Sequence, residues 1–287
     1  MMVCSWLSYV DIENLGEARS AHQDEPGIVF DRRRRVLDIC WTGWVGRNFQ
    51  RALETSFEAL CAYAEQAAHY KALNWPAYKI HPPQAWREDI KVAEAVRNAV
   101  GADYTLMCDP GWCYNYEEAL RVGFALDDLN YYWYEDPLAD QDLYNYVKLK
   151  QKLRTPIMAT EYPQAGLDSY AQWIIQSATD FLRGDVAIKG GITTLIKTAH
   201  LAEAFHLNYE IHHGGNSLNN VANLHVMMAI ANAQYFEVFL PDEAQKYGLV
   251  KDIEVDATGH VHAPTEPGLG AEIDFELIKR KTVAVLR

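Results

Sequence analysis

Five acid or base residues recur at nearly even steps through the middle of the chain. They are Asp109, Glu135, Glu161, Asp185 and His212, separated by 26, 26, 24 and 27 residues. Each closes or lies within a short apolar run: YTLMCD, YYWYE, PIMATE, FLRGDVAI and NYEIH. Three carboxylates gathered at one point repel each other unless a cation sits between them. An all-oxygen ligand set favours a hard divalent ion such as Mg²⁺, so Asp109, Glu135 and Glu161 are the candidate metal ligands. Asp185 and His212 suit another task. A carboxylate bonded to one imidazole nitrogen fixes the tautomer and leaves the other nitrogen as a general acid or base. His213 rivals His212 for that role. His212 is preferred because it ends the apolar run, whereas His213 opens a Gly-Gly loop. Lys79 and His81, at i and i+2 in AYKIH, point to the same side of a strand. Either could take a proton from a substrate held at the metal. Glu237, in QYFEVFL, is either a hydrogen-bond donor in its protonated form or a cap on the barrel.

The even spacing is the length that a strand, a helix and two loops require. The strands are read at 36–41, 77–81, 104–109, 131–135, 156–161, 185–189, 208–212 and 234–240. Helices are expected at 50–73, 86–100, 116–126, 142–153, 168–177, 192–205 and 217–230, where apolar residues fall at helical spacing. Eight strands alternating with seven helices predict an α/β fold, a TIM-like (β/α)7β barrel. Its active site would form at the carboxyl ends of the strands. Neighbouring strands lie about 5 Å apart, so three successive strand ends can surround one ion. Residues 1–35 are read as an irregular N-terminal segment and 36–287 as the barrel domain, with a tail of short polar pieces and a basic end.

The composition narrows the function classes. A length of 287 residues at 49% hydrophobic content supports a sizeable core, and a net charge of −13 argues against nucleic acid and anionic membranes as partners. An anionic small molecule stays open, because a bound metal inverts the local field. Five cysteines without a CxxC pair are expected as free thiols in a reducing compartment. No apolar run approaches the ~20 residues of a membrane span, and the N-terminus lacks a signal-peptide pattern, so the cytoplasm is the expected location. There is no P-loop, GxSxG elbow or HExxH motif. Lys189 is read as a structural residue at a strand-to-helix turn, and His225 as packed within a helix.

Several of these stretches together resemble the enolase superfamily, and within it the mandelate racemase/muconate lactonizing enzyme-like acid-sugar dehydratases. They are WYEDPL (133–138), ATE (159–161), Asp185 followed by GGIT (190–193), HHGG with ANLH, Glu237, and PGLG (267–270). The resemblance covers residues 77–273. It implies Mg²⁺ on Asp109, Glu135 and Glu161, with Lys79/His81 and His212–Asp185 on opposite faces of a sugar acid. It further implies removal of the proton alpha to the carboxylate, then loss of the β-hydroxyl to give a 2-keto-3-deoxy acid. A racemase, epimerase or cycloisomerase is the alternative within the superfamily; a capless, non-catalytic barrel that binds a partner is the alternative outside it. Homo-oligomers are expected by analogy. Two departures stand out. The usual Lys-x-Lys of strand two is Lys79-x-His81 here. The roughly 35 residues before the expected first strand are too few for the family's N-terminal α+β capping domain, which is therefore expected to be largely missing.

Overall fold

The computed structural model describes residues 2–8, 57–162, 167–240 and 246–283. Among the described residues, eight strands form one parallel sheet: β1 Met2–Ser8, β2 Ala77–His81, β3 Thr105–Cys108, β4 Trp133–Glu135, β5 Ile157–Ala159, β6 Phe181–Gly184, β7 Asn208–Ile211 and β8 Tyr235–Leu240. Their order is β7-β6-β5-β4-β3-β2-β1-β8. The helices are α1 Phe57–Ala72, α2 Trp86–Val100, α3 Tyr116–Asp128, α4 Leu143–Lys150, α5 Asp168–Ile175, α6 Ile192–Ala204, α7 Ser217–Ala229 and α8 Phe275–Lys281. Strand and helix alternate from α1 to β8, as parallel pairing with crossover helices requires.

Local chemistry sets the helix limits. Val92, Ala93, Val96 and Val100 of α2 are buried at i, i+1, i+4 and i+8, the stripe of a half-buried helix. Gly101 ends α2 at φ +80, a conformation that costs glycine least. Asn115 begins α3 with a reciprocal capping box to Glu118, and Asn216 caps α7 by accepting from the Asn219 amide.

The N-terminal reading changes. The strand between β2 and β8 is Met2–Ser8, in register with both (Cys4 opposite Ala77 and Glu237). It lies in the segment expected to be irregular. Two ladders of backbone bonds stabilise this short stretch, and such pairing depends on the whole sheet rather than on local pattern. The strand expected at 36–41 lies outside the described residues. The sixth strand also shifts: it occupies Phe181–Gly184, not 185–189. Residues 185–189 turn instead, with the Ile188 and Lys189 amides bonded to the Asp185 carbonyl. The basic end of the tail forms α8, and Leu249 pairs with Ile273 ahead of it.

Among the described residues, two apolar clusters form the core. One lies between the strands and the helices and contains Tyr78, Ile80, Leu106, Tyr134, Ile157, Leu182 and Tyr209. The other fills the barrel floor with Ala77, Met107, Trp133 and Met158, ringed by Tyr132, Phe181 and Tyr235. Two residues on from Ala77, Met107, Trp133, Phe181 and Tyr235, the same inward face carries charge: Lys79, Asp109, Glu135, Arg183 and Glu237. Between β7 and β8, side chains carry part of the closure. Glu210 accepts the Gln234 and Tyr235 amides, and Glu237 accepts the His213 amide at 2.9 Å.

Candidate active site

Asp109 follows β3 directly, Glu135 ends β4, and Glu161 lies two residues past β5. One carboxylate oxygen from each falls within 4.8 Å of the others, and all three residues are buried. Glu161 reaches this position only through a break in strand geometry. Simple alternation from the inward-facing Met158 would send a residue three positions later outward. Thr160 intervenes at φ +87, a left-handed conformation that a β-branched residue adopts only when its surroundings hold it there. β6 does the holding: the Thr160 hydroxyl donates to the Arg183 carbonyl at 3.1 Å and accepts the Arg183 amide at 3.0 Å.

Lys79 lies beneath this triad. Its Nζ is 3.0 Å from Asp109 Oδ2, 2.9 Å from Glu135 Oε2 and 2.5 Å from Glu237 Oε1. Burial opposes its charge, as does Arg183, but Glu135, Glu237 and Asp109 outweigh both and raise its pKa. Lys79 thus pairs with three carboxylates beneath the triad. His81, one layer higher, places Nε2 3.0 Å from Asp109 Oδ2. On the other side His212 places Nε2 3.4 Å from Glu161 Oε1 and Nδ1 3.0 Å from Asp185 Oδ2. Burial works against a charged His212, but Glu161 and the Asp185 bond outweigh it and hold the imidazole above its usual range. His213 turns away onto Phe236 with ring centroids 4.1 Å apart, and burial pushes its pKa down to about 3. Of the two neighbouring histidines, only His212 contacts both Asp185 and the triad. Glu237 accepts from Arg183, Lys79 and the His213 amide. Burial disfavours its charge, yet Arg183 and Lys79 outweigh burial and keep it ionised.

Sequence reasoning missed Arg183. Its guanidinium lies inside the barrel, with Nε 2.5 Å from Glu135 Oε1 and 3.3 Å from Glu161 Oε2, and Nη2 2.6 Å from Glu237 Oε2. The signal was available, because Arg183 precedes Asp185 by two residues and so shares its strand face, but it emerges only once β6 is placed at 181–184. Trp133, two residues before Glu135, is the second omission; its indole Nε1 donates to Glu135 Oε2 at 3.1 Å.

The residues present suit a divalent cation. Asp109, Glu135, Glu161 and Glu237 are four buried acids against two buried cationic side chains, Lys79 and Arg183. Burial drives Glu135 up to about 8, with Asp109 and Glu237 adding to the rise, even though Arg183 and Lys79 oppose it. A carboxylate in that position gains most from one more cation. Carboxylate oxygens on three adjacent strand ends are the hard donors that Mg²⁺ prefers.

Residues 62–277 match the enolase C-terminal domain-like family, and the chain belongs to that family. Residues 2–93 also match a family of unknown function. Arabinonate dehydratase of Saccharolobus solfataricus is 28% identical over 216 residues, which are 73% of this chain and 56% of that protein. D-galactarolactone cycloisomerase of Agrobacterium fabrum is 26% identical over 75% of this chain and 59% of its own length. Among solved structures, D-glucarate dehydratase from Agrobacterium tumefaciens, complexed with magnesium, superposes with a TM-score of 0.68. Its identity is 36%, covering 76% of this chain and 59% of that one. The chain thus spans a little over half the length of these relatives.

Proposed function

We propose that this chain catalyses Mg²⁺-dependent removal of the proton alpha to the carboxylate of a sugar acid, followed by loss of the β-hydroxyl as water. The observation that carries this reading is a buried carboxylate triad flanked by two imidazoles, with His81 against Asp109 and His212 against Glu161. The dehydratases among its relatives support the choice of substrate class. Asp109, Glu135 and Glu161 would hold the ion, which when bound would offset negative charge developing on the substrate carboxylate. The side chains do the proton work. His212 takes the alpha proton at Nε2 while its Nδ1–H stays bonded to Asp185, so the imidazolium that forms has a fixed counter-charge. His81 on the opposite side delivers a proton to the departing hydroxyl. Lys79 and Arg183 keep Glu237 and the triad from repelling each other, and the closed barrel floor keeps bulk water away from below.

Deuterium incorporation at the alpha carbon, followed by NMR in D₂O with Mg²⁺ across a library of sugar acids, tests the reading. Exchange that requires Mg²⁺ and vanishes in Glu135→Gln supports it. Absence of exchange with every acid, in protein that binds Mg²⁺, would sink it. The second reading is an epimerase or cycloisomerase. It rests on the same two imidazoles, because one base on each side is what transfer of a proton between faces needs, and a cycloisomerase stands among the relatives. Product analysis decides: dehydration yields a 2-keto-3-deoxy acid, and isomerisation conserves mass.

A further inference from the structure

Among the described residues, the Asp185 carboxylate is the most heavily bonded acid at the barrel mouth, and three of its five bonds come from helix α7. Asn219 Nδ2 donates to both carboxylate oxygens at 3.0 Å. Asn223 Nδ2, one turn further along α7, donates to Oδ2 at 3.0 Å and to the His212 carbonyl at 2.8 Å. Asn223 Oδ1 accepts the Val186 amide at 2.8 Å, and the Ala187 amide donates to Asp185 Oδ1 at 2.7 Å. Asn223 is completely buried. Residues four apart share one helix face, so α7 presents two amides to the same carboxylate. Its own start is set by the Asn216 cap.

We propose that Asn219 and Asn223 are positioning residues that fix the orientation and the tautomer of the His212 base. The proposal rests on the reading of His212 as the base. An amide NH₂ can only donate. With Asn219, Asn223 and the Ala187 amide all donating, Asp185 has no proton to give to His212. The Asp185–His212 bond is satisfied only when Nδ1 carries the hydrogen. The lone pair of the neutral imidazole is then on Nε2, the nitrogen that faces the triad beside Glu161. Asn223 adds a second constraint. By holding the Val186 amide and the His212 carbonyl at once, it ties the loop after β6 to the end of β7 and keeps acid and base in register. Neither asparagine contacts the candidate metal ligands, so their effect reaches the chemistry only through Asp185 and His212.

The test uses the full chain with ¹⁵N-labelled histidine, observed by NMR, with His212→Asn assigning the ring signal. In the wild type the ring hydrogen is expected on Nδ1 and protected from exchange with water. Asn219→Ala removes two bonds to Asp185 and nothing else that holds the fold. It is expected to speed exchange of that hydrogen by about tenfold or more and to lower kcat for alpha-proton exchange by at least a similar factor, with KM and Mg²⁺ affinity retained. Asn220→Ala is the control, since that side chain reaches only the Gly215 carbonyl at 3.4 Å, and it should behave as wild type. A neutral imidazole with its hydrogen on Nε2 and none on Nδ1 in the wild type, or an Asn219→Ala protein with unchanged hydrogen exchange, overturns the proposal. If the ring hydrogen responds to Asn219→Ala while the wild type exchanges no sugar acid, the positioning stands and the reading of the enzyme's activity falls.

Discussion

Replacing Arg183 with methionine keeps the volume and removes one buried positive charge from among Glu135, Glu161 and Glu237. The ion pairs concerned run from 2.5 to 3.3 Å between groups that are all within 6% exposed, so solvent screens them little. Removing one partner from a buried pair leaves the other charge uncompensated and costs about 3–5 kcal/mol. For a chain of this size each kcal/mol moves Tm by roughly 2–4 °C, so Arg183→Met in EDTA should melt about 10 °C below wild type. Mg²⁺ should then recover more in the variant than in the wild type. The anions left behind have lost one counter-ion, and any ligand that binds only the folded state stabilises it by mass action. Circular dichroism melts of both proteins, in EDTA and in a Mg²⁺ titration, measure both quantities. A variant that melts with wild type in EDTA would refute the placement of the guanidinium. A smaller Mg²⁺ response than wild type would refute the idea that Arg183 and the ion serve the same carboxylates.

His212→Asn should bind Mg²⁺ with wild-type affinity by calorimetry yet lose alpha-proton exchange. Retained exchange would assign the base elsewhere. Trp133→Phe removes the indole donor to Glu135 while keeping the ring that packs the barrel floor. It should weaken Mg²⁺ binding about tenfold, and unchanged affinity would make that bond incidental. Asp89 is fully buried, accepts the Tyr114 hydroxyl, and is pushed up by burial to about 6 from 3.8. Its folded pKa exceeds its unfolded one, so its contribution to stability is whole below 3.8 and is lost as pH rises through about 6. Asp89→Asn should therefore raise Tm relative to wild type at pH 7.5 and bring little gain at pH 4.5; equal gains at both values would count against a buried titrating carboxylate.

The candidate ligands were legible from sequence because a strand, a helix and two loops have a nearly fixed length. Asp109, Glu135, Asp185 and His212 recur at that length, and parallel strands bring equivalent ends to one rim of the barrel. Lys79 and Glu237 were legible for the same reason, as polar residues inside otherwise apolar runs. What the residues do to one another was not. Arg183 meets Glu237 across 54 residues of chain, and Asn219 meets Asp185 across 34; closure of the barrel and docking of α7 create both contacts. Glu161 points inward because β6 holds Thr160 in a left-handed turn, which no period-two pattern foretells. β1 gains its place from ladders to β2 and β8 rather than from any signal of its own. The order of residue types along the chain determined which groups stand at the barrel rim, since local spacing suffices for that. Only the tertiary structure decided which of them are charged, which are paired and which imidazole nitrogen faces the carboxylates, because burial and contacts between distant strands set those properties.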